Sequence, residues 1–374
     1  MEALYIGIMS GTSLDGVDIA LTAFSSDTRR ARLLDALCVP FPASLREQLL
    51  SLCQPGDDEI RRAGLAGQDW ARLAADGVQQ LLSRQAIAPQ QVAAIGSHGQ
   101  TIRHHPESGF SVQIGAPALL AELCGIDVIT DFRNRDLAAG GEGAPLVPAF
   151  HAWLLHDPQQ NRALVNIGGF ANLTLLAGDG QISGFDSGPG NVLLDHWVQQ
   201  HLGRAYDANG DWARSGQPIA ELLEHMLSDS YFSRQPPKST GREYFHPAWL
   251  QRHLAGSEFA PADIQATLLE LTARSIAQAL NDCQPQPAAA YVCGGGAHNS
   301  WLLERLQQLL PHCPITTTNA LGVDPDWMEA MAFAWLAWRC QQRLSGNLPA
   351  VTGARGERIL GAIYPAQDAP GHIS

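Results

Sequence analysis

Charge is scarce in this 374-residue chain, and what there is leans acidic. Charged residues make up 16%, with 24 basic against 37 acidic side chains and a net charge of −13. Sequence-independent binding to DNA, RNA or anionic lipid needs a basic footprint, so no nucleic-acid partner and no membrane partner is expected. The 45% of apolar residues excludes a disordered chain, which couples low hydrophobicity with high charge. No run approaches the roughly 18 uninterrupted apolar residues of a spanning helix. The first residues, Met1-Glu2-Ala3-Leu4, have neither the basic start nor the apolar stretch of a secretory signal. Cysteine is sparse: seven residues, at 38, 53, 124, 283, 293, 313 and 340, with no CxxC. An odd, scattered set fits neither a disulfide framework nor a zinc site. The expectation is a cytoplasmic protein with reduced thiols. GxxxxGK[ST] and GxSxG are missing too, which removes the P-loop and the nucleophile elbow.

What is present is glycine, 36 residues of it, with 23 prolines. The length allows two domains. Leu4–Met9 reads as a strand, 10–16 as a turn of small polar residues, and Val17–Phe24 as a returning strand. About 155 residues later the arrangement recurs: strand 163–167, turn 168–172, strand 173–176 and a third strand at 182–185. Two Gly-tipped hairpins, one per half, point to an internal duplication. Residues 265–281 and 325–345 carry apolar residues at helical spacing. For the second of these Asp324 is the expected cap, Pro325 the first helical residue and Gly346 the stop. Strand 289–293 runs into Gly294-Gly295-Gly296 and a helix from about Asn299 to Leu310. Mixed strands and helices give an α/β fold. A boundary is expected near 130–150, around the loop 138–145.

Four places carry chemistry. In the first turn, Gly11 lets a backbone approach a ligand. Thr12 and Ser13 offer hydroxyls to phosphate oxygens, and Asp15 and Asp18 are acceptors for Mg²⁺, directly or through water. The same residues also make ordinary hairpin turns. The second turn, Asn166-Ile167-Gly168-Gly169-Phe170-Ala171-Asn172, gains weight from its pairing with the first. In Gly184-Phe185-Asp186-Ser187-Gly188-Pro189-Gly190-Asn191 an acid ends a strand before a rigid small-residue turn. That suits a general base, while a helix cap is the plain alternative, a job Asn191 or Ser187 can also do. Three glycines at 294–296 admit a flat ligand such as adenine, although their spacing is not that of GxGxxG. Ser97, His98, Thr101, Arg133, Arg135 and Glu329 are candidates for substrate recognition, with capping and salt-bridge roles equally open. His104-His105 has no third ligand at close spacing.

The segment Met9–Asp18 closely resembles the anhydro-N-acetylmuramic acid kinase family. The resemblance continues in order through Gly96–Thr101, Asp131–Arg133, Gly140–Pro148, Asn166–Asn172, Phe185–Asn191, Cys293–Asn299 and Thr352–Ala354, essentially the whole chain. Ser187 departs from the Thr of many members. The resemblance implies two duplicated RNase-H-like domains of the actin-like ATPase kind around a central ATP cleft. Their expected extents are 1–131, completed by 347–374, and 132–346. It implies ATP, Mg²⁺ and the substrate 1,6-anhydro-N-acetylmuramic acid, which is hydrolysed at the anhydro bond and phosphorylated on O6 during cell-wall recycling and amino-sugar catabolism.

On that basis Asp186 is the base that activates water. Gly11, Thr12, Ser13, Leu14, Asp15, Gly16, Val17, Gly168, Gly169 and Asn172 hold the phosphates, Asp18 positions Mg²⁺, and Gly294, Gly295 and Gly296 meet the adenosine. The sugar is read by some of Ser97, His98, Thr101, Arg133, Arg135 and Glu329. Two rivals stand beside this reading: a kinase of a plain sugar hydroxyl, and a nucleotide-dependent binding module without chemistry. A homodimer is left open.

Overall fold

The computed structural model describes residues 2–11, 14–25, 30–236, 238–241, 244–256, 258–282 and 286–366. The chain divides into two compact units, Met1–Leu154 with Trp327–Ser374, and Leu155–Asp326. Thr12 and Ser13, both expected to hold phosphate, lie outside the described residues.

In the first unit, β1 (Ala3–Met9), β2 (Gly16–Ser25) and β3 (Arg30–Pro40) form an antiparallel meander. Next to β1 run β4 (Val92–Ser97) and β7 (Val128–Thr130), both parallel, and β13 (Ala362–Tyr364) closes the sheet antiparallel to β7. The order is β13-β7-β4-β1-β2-β3. A separate ribbon pairs β5 (Gln100–His105) with β6 (Phe110–Ile114).

Alternation along the strands sorts the two faces. Ile6, Ile8, Ile19 and Leu21 join one core with Trp70, Ala74 and Val78 of the helix Glu59–Gln85. On the other face lie Tyr5, Gly7 and Phe24. Phe24 meets Tyr5 edge-on and stacks on Trp338 of the helix Met328–Gln341. That helix is buried on every side, which its apolar composition requires.

The helix 328–341 therefore belongs with the first unit, not with the second as the sequence reading had it. The chain leaves the first unit after Leu154 and returns at Trp327, against the expected 131/132 and 346/347. The physical reason is close backbone approach. A Cβ on Gly7 of β1 would lie 1.7 Å from the Ala330 carbonyl oxygen, and one on Gly96 of β4 would lie 2.0 Å from that of Phe333. The helix start also differs. Asp324 does not cap it: its Oδ1 accepts from the Asp326 amide, and the Pro325 carbonyl accepts from Gly294 N. Helix begins only at Met328, and it ends at Gln341, well before Gly346.

In the second unit, β8 (Arg162–Ile167), β9 (Phe170–Leu176) and β10 (Ile182–Pro189) form a second antiparallel meander. Next to β8 run β11 (Ala289–Cys293) and β12 (Ile315–Thr317), both parallel, in the order β10-β9-β8-β11-β12. The helices Val192–Leu202, Pro261–Asn281 and Ser300–Leu309 share its core. The buried Glu270 of the second helix accepts from both Arg274 and Arg305 at 2.9 Å. Asn299 caps the third, accepting from Leu302 N. Among the described residues no helix is long and apolar enough to cross a membrane.

The glycine contacts make a paired prediction. Gly7→Ala or Gly96→Ala forces backbone against backbone and is expected to destabilise by about 1–3 kcal/mol or more. Gly64, inside the helix 59–85 with nothing within 4 Å of its Cβ position, is expected to gain roughly 0.5–1 kcal/mol as Ala. Thermal midpoints of the three variants decide it, and equal effects at Gly7 and Gly64 would contradict the packing argument.

Candidate active site

The turn between β1 and β2 is tied down at several points. Ser10 Oγ donates to the Gly99 carbonyl at 3.0 Å and accepts from Trp70 Nε1 at 3.1 Å. Gln100 Nε2 donates to the Gly11 carbonyl, Arg46 Nε to that of Leu14, and Phe41 N to that of Asp15. Leu14 and Val17 send their side chains into the core. A Cβ on Gly16 would meet the Val39 carbonyl at 2.5 Å. These three expected phosphate residues are thus demanded by the fold and have only main chain to offer a ligand. Asp15 is exposed and Asp18 half-buried. Burial first, then the charge and hydrogen bond of Asp18 and the charge of Asp15, push the neighbouring Cys38 thiol up to about 12.

At the end of β4 the chain places Ser97 and His98, both buried. The His98 amide donates to the Ile8 carbonyl. The Arg133 guanidinium reaches the His98 ring from the segment after β7: Nε lies 3.2 Å and Nη2 2.9 Å from His98 Nε2. An arginine only donates, so Nε2 carries the lone pair, and Nδ1 carries the proton and donates to the Gly99 carbonyl at 2.8 Å. Burial first, then the Arg133 charge, lowers the His98 pKa to about 3. Burial also lowers Arg133 to about 10 against the opposing pull of Glu329, leaving it charged at neutral pH. His98, Arg133 and Glu329 therefore form one electrostatic group. Thr101 stands apart, its Oγ1 accepting from Gln113 Nε2. Arg135 is exposed on the short helix Asn134–Ala138 and enters neither bond.

A fourth residue, Asp136, was not singled out by the sequence reading. It is fully buried. Its Oδ1 accepts from Asn347 Nδ2 at 2.6 Å and Thr352 Oγ1 at 2.8 Å, and its Oδ2 from Gly143 N at 2.9 Å. The Gly143 carbonyl in turn accepts from Arg133 Nη1 at 2.8 Å. One carboxylate thus joins the 140–145 loop, the 347–352 segment and the arginine. Their separation in sequence, more than 200 residues between Asp136 and Asn347, left no spacing signal.

In the second unit the strand register sets a polar row. Asp186 of β10 lies opposite Asn172 of β9, Asn172 opposite Asn166 of β8, and Asn166 opposite Cys293 of β11. Directly opposed residues share a face. The register slips between Asp186 and Gly188, a bulge of the kind that re-aims a side chain. Asp186 is half-buried. Its Oδ2 accepts from Thr240 N at 2.9 Å, its amide donates to the Lys238 carbonyl, and its carbonyl accepts from Tyr231 Oη at 2.8 Å. It is not the helix cap. Asn191 takes that position and its Nδ2 donates to the Ile167 carbonyl, while Ser187 Oγ donates to that of Ala171.

The glycines here divide by need. A Cβ on Gly294 would lie 2.4 Å from Asn166 Oδ1, and one on Gly296 2.4 Å from Ile167 Cγ2, so packing against β8 explains both. Gly295 has 3.6 Å of room, and Gly168 and Gly169 have 3.9 Å. Close packing does not explain these three.

The family model described as anhydro-N-acetylmuramic acid kinase matches residues 3–366. The chain belongs to the anhydro-N-acetylmuramic acid kinase family. A relative of that name from Pseudomonas syringae pv. syringae is 54% identical over 367 residues, covering 98% of this chain and 100% of its own. One from Pseudomonas putida is 56% identical over 365 residues, covering 97% and 100%. Among solved structures, the activator of the 2-hydroxyisocaproyl-CoA dehydratase from Clostridium difficile with bound ADPNP is similar at a TM-score of 0.46 and 11% identity, over 92% of this chain and 98% of that one.

His98 gives a pH prediction for this family member. Its folded pKa of about 3 lies below the 6.5 of a free histidine. Its contribution to stability is therefore complete above pH 6.5 and lost as the pH falls toward 3, because the unfolded chain takes a proton that the folded one refuses. The slope is at most about 1.4 kcal/mol per pH unit. Urea midpoints of wild type and His98→Gln, followed down from neutral pH, are expected to fall more steeply in the wild type. Parallel curves would mean that His98 titrates in the folded state.

Proposed function

We propose that this chain is an ATP-dependent kinase that opens 1,6-anhydro-N-acetylmuramic acid with water and phosphorylates O6, giving N-acetylmuramic acid 6-phosphate and ADP in cell-wall recycling. Family membership over residues 3–366 supports the substrate class. The observation that carries the chemistry is Asp186, a carboxylate held at a bulge by main-chain bonds on both sides. We read the two units as duplicated RNase-H-like domains of the actin-like ATPase kind. Their shared order, an antiparallel meander followed by two parallel strands beside its first strand, supports that reading.

Asp186 takes a proton from water as the water oxygen bonds to C1. The C1–O6 bond breaks, and O6 accepts the γ-phosphoryl group of ATP as ADP departs. An inverting glycosidase needs a second carboxylic acid to protonate its leaving oxygen. Here phosphorylation replaces that proton, so one base suffices. The main chain at Gly11, Leu14, Asp15, Gly16 and Val17, with Thr12 and Ser13, holds phosphates, as do Gly168, Gly169 and Asn172. Gly295, flanked by Gly294 and Gly296, meets the adenosine. Arg133, charged and half-buried, suits the lactyl carboxylate, with His98 fixing its direction. Ser97, Thr101, Arg135 and Glu329 are the remaining candidates for the sugar's hydroxyl and N-acetyl groups.

Mg²⁺ fits the first hairpin. Asp18 and Asp15 are hard oxygen donors on one hairpin, both near enough to Cys38 to add to the burial that raises it, and no group of three or more His, Cys, Asp or Glu forms a metal cage among the described residues. Magnesium is commonly held by one or two carboxylates with water and substrate phosphates. Asp18 would hold it, and bound Mg²⁺ neutralises phosphate charge.

Two measurements test the reading. ADP release with the purified anhydrosugar is expected in the wild type and to fall by about 10²–10⁴ in Asp186→Asn. In ¹⁸O-water the label is expected at C1 of the product. A labelled-water run with no label at C1 leaves only a kinase of a plain hydroxyl, and ATP binding without turnover leaves a binding module.

A further inference from the structure

Asp229 lies 43 residues beyond Asp186 in sequence and has no part in the chemistry above. Its carboxylate accepts three hydrogen bonds. Its Oδ1 accepts from Tyr231 N at 2.9 Å and Tyr244 Oη at 2.6 Å, and its Oδ2 accepts from Trp249 Nε1 at 2.9 Å. Burial opposes its charge, but the Tyr244 hydroxyl, the Trp249 indole and the Tyr231 amide outweigh it and hold the carboxyl below its usual range. Asp229 is therefore an ionised anchor at neutral pH.

Two arms run from this anchor to Asp186. The first is Tyr231, buried at 0% exposure, whose hydroxyl donates to the Asp186 carbonyl at 2.8 Å. The second passes through Tyr244. Its amide donates to the Gly241 carbonyl at 3.0 Å, and Gly241 follows Thr240, whose amide donates to Asp186 Oδ2 at 2.9 Å. Lys238 ties the arms together. Its carbonyl accepts from the Asp186 amide, and its ammonium lies 5.1 Å from the centre of the Tyr231 ring. Phe245 packs edge-on against Tyr231, Tyr244 and Trp249, so the rings of both arms share one aromatic neighbour.

We propose that Asp229, acting through Tyr231 and the 238–241 segment, is a positioning residue that fixes both the main chain and the carboxylate of Asp186. The inference rests on Asp186 being the base. A base must sit within hydrogen-bond reach of the proton it removes, in a fixed direction. Asp186 stays in register with Asn172 and the bulge falls just after it, while its amide, carbonyl and Oδ2 are bonded by Lys238, Tyr231 and Thr240, groups outside the sheet that contribute to its direction. The Asp229 network supplies it from three sides: amide, carbonyl and carboxylate.

The test uses the full-length enzyme in the ADP-release assay with the anhydrosugar, comparing wild type, Asp229→Asn, Tyr231→Phe, Asp186→Asn and the double variant Asp186→Asn/Tyr231→Phe. Tyr231→Phe keeps the ring and its packing and removes only the hydroxyl, so it decides the matter even where Asp229→Asn folds poorly. Expected is a kcat about tenfold to a hundredfold lower in each single positioning variant, from a misdirected base. KM for ATP and sugar should stay within about twofold, since the lost interaction matters only in the transition state. Asp186→Asn/Tyr231→Phe should be no slower than Asp186→Asn alone. A wild-type kcat in Tyr231→Phe beside an inert Asp186→Asn overturns the positioning role and leaves the base intact. A full extra loss in the double variant also overturns it, since Tyr231 would then act independently of Asp186. An unchanged rate in Asp186→Asn removes the base reading and this inference with it.

Discussion

The first unit depends on the contact between the helix 328–341 and the middle of its sheet. Gly7 and Gly96 sit on neighbouring parallel strands and leave the carbonyls of Ala330 and Phe333 lying against the sheet backbone. Only glycine permits that distance. The consequence reaches the site directly, because Glu329 lies one residue before Ala330, and its charge acts on Arg133. The same contact brings the end of the chain back to the start, where the Asp136 carboxylate binds Asn347 and Thr352. The packing that stabilises the sheet and the charges beside its strand ends are thus set by one helix.

The two units solve the same problem with different means. Each has an antiparallel meander with two parallel strands added beside its first strand, and each presents polar groups where those strands end. In the first, a charged arginine is held by a neutral histidine and a carbonyl. The imidazole stays neutral because burial and the guanidinium both oppose its protonation, so the pair keeps a positive charge. In the second, Asp186 accepts a main-chain amide on its carboxylate, donates its own amide to the Lys238 carbonyl and accepts the Tyr231 hydroxyl on its carbonyl. A main-chain donor fixes direction without adding a mobile counter-charge.

Much of this was legible in the sequence, and the parts that were not share a cause. Leu4–Met9, a short apolar run, and Val17–Phe24, only partly alternating, are strands as read but are buried on both faces, and the two glycine-tipped turns sit where the hairpins turn. The helix 328–341 was visible as a stripe at Met328, Met331, Ala332, Trp335 and Leu336. Its burial on all sides and its place in the first unit were not, since both follow from Gly7 and Gly96, more than 230 residues upstream in each case. Asp324 and Pro325 gave a plausible start signal, but the Asp324 carboxylate is taken by the Asp326 amide and the Pro325 carbonyl by Gly294 N. Asp136, Tyr231 and Thr240 act through partners tens to hundreds of residues away, and no periodicity encodes such pairs. The glycines at 294–296 looked alike in sequence. Only the space around each separates Gly294 and Gly296, which packing requires, from Gly295, which it does not.

Electrostatics give the acidic composition a local meaning. The net charge of −13 sets the long-range field against anionic partners, and at physiological ionic strength that field fades within about 8–10 Å of exposed charges. Inside a partly buried site the balance is decided by a few groups. Around Arg133 the nearest titratable ring is neutral and the carboxylate of Asp136 is occupied by three donors, which leaves Glu329 as the charge opposing the lowering of its pKa. At the first hairpin the sign reverses, with Asp15 and Asp18 acting together on Cys38. One acidic chain carries local charge of both signs because each group is built from two or three side chains held at strand ends, where burial amplifies a single charge and distance silences the rest.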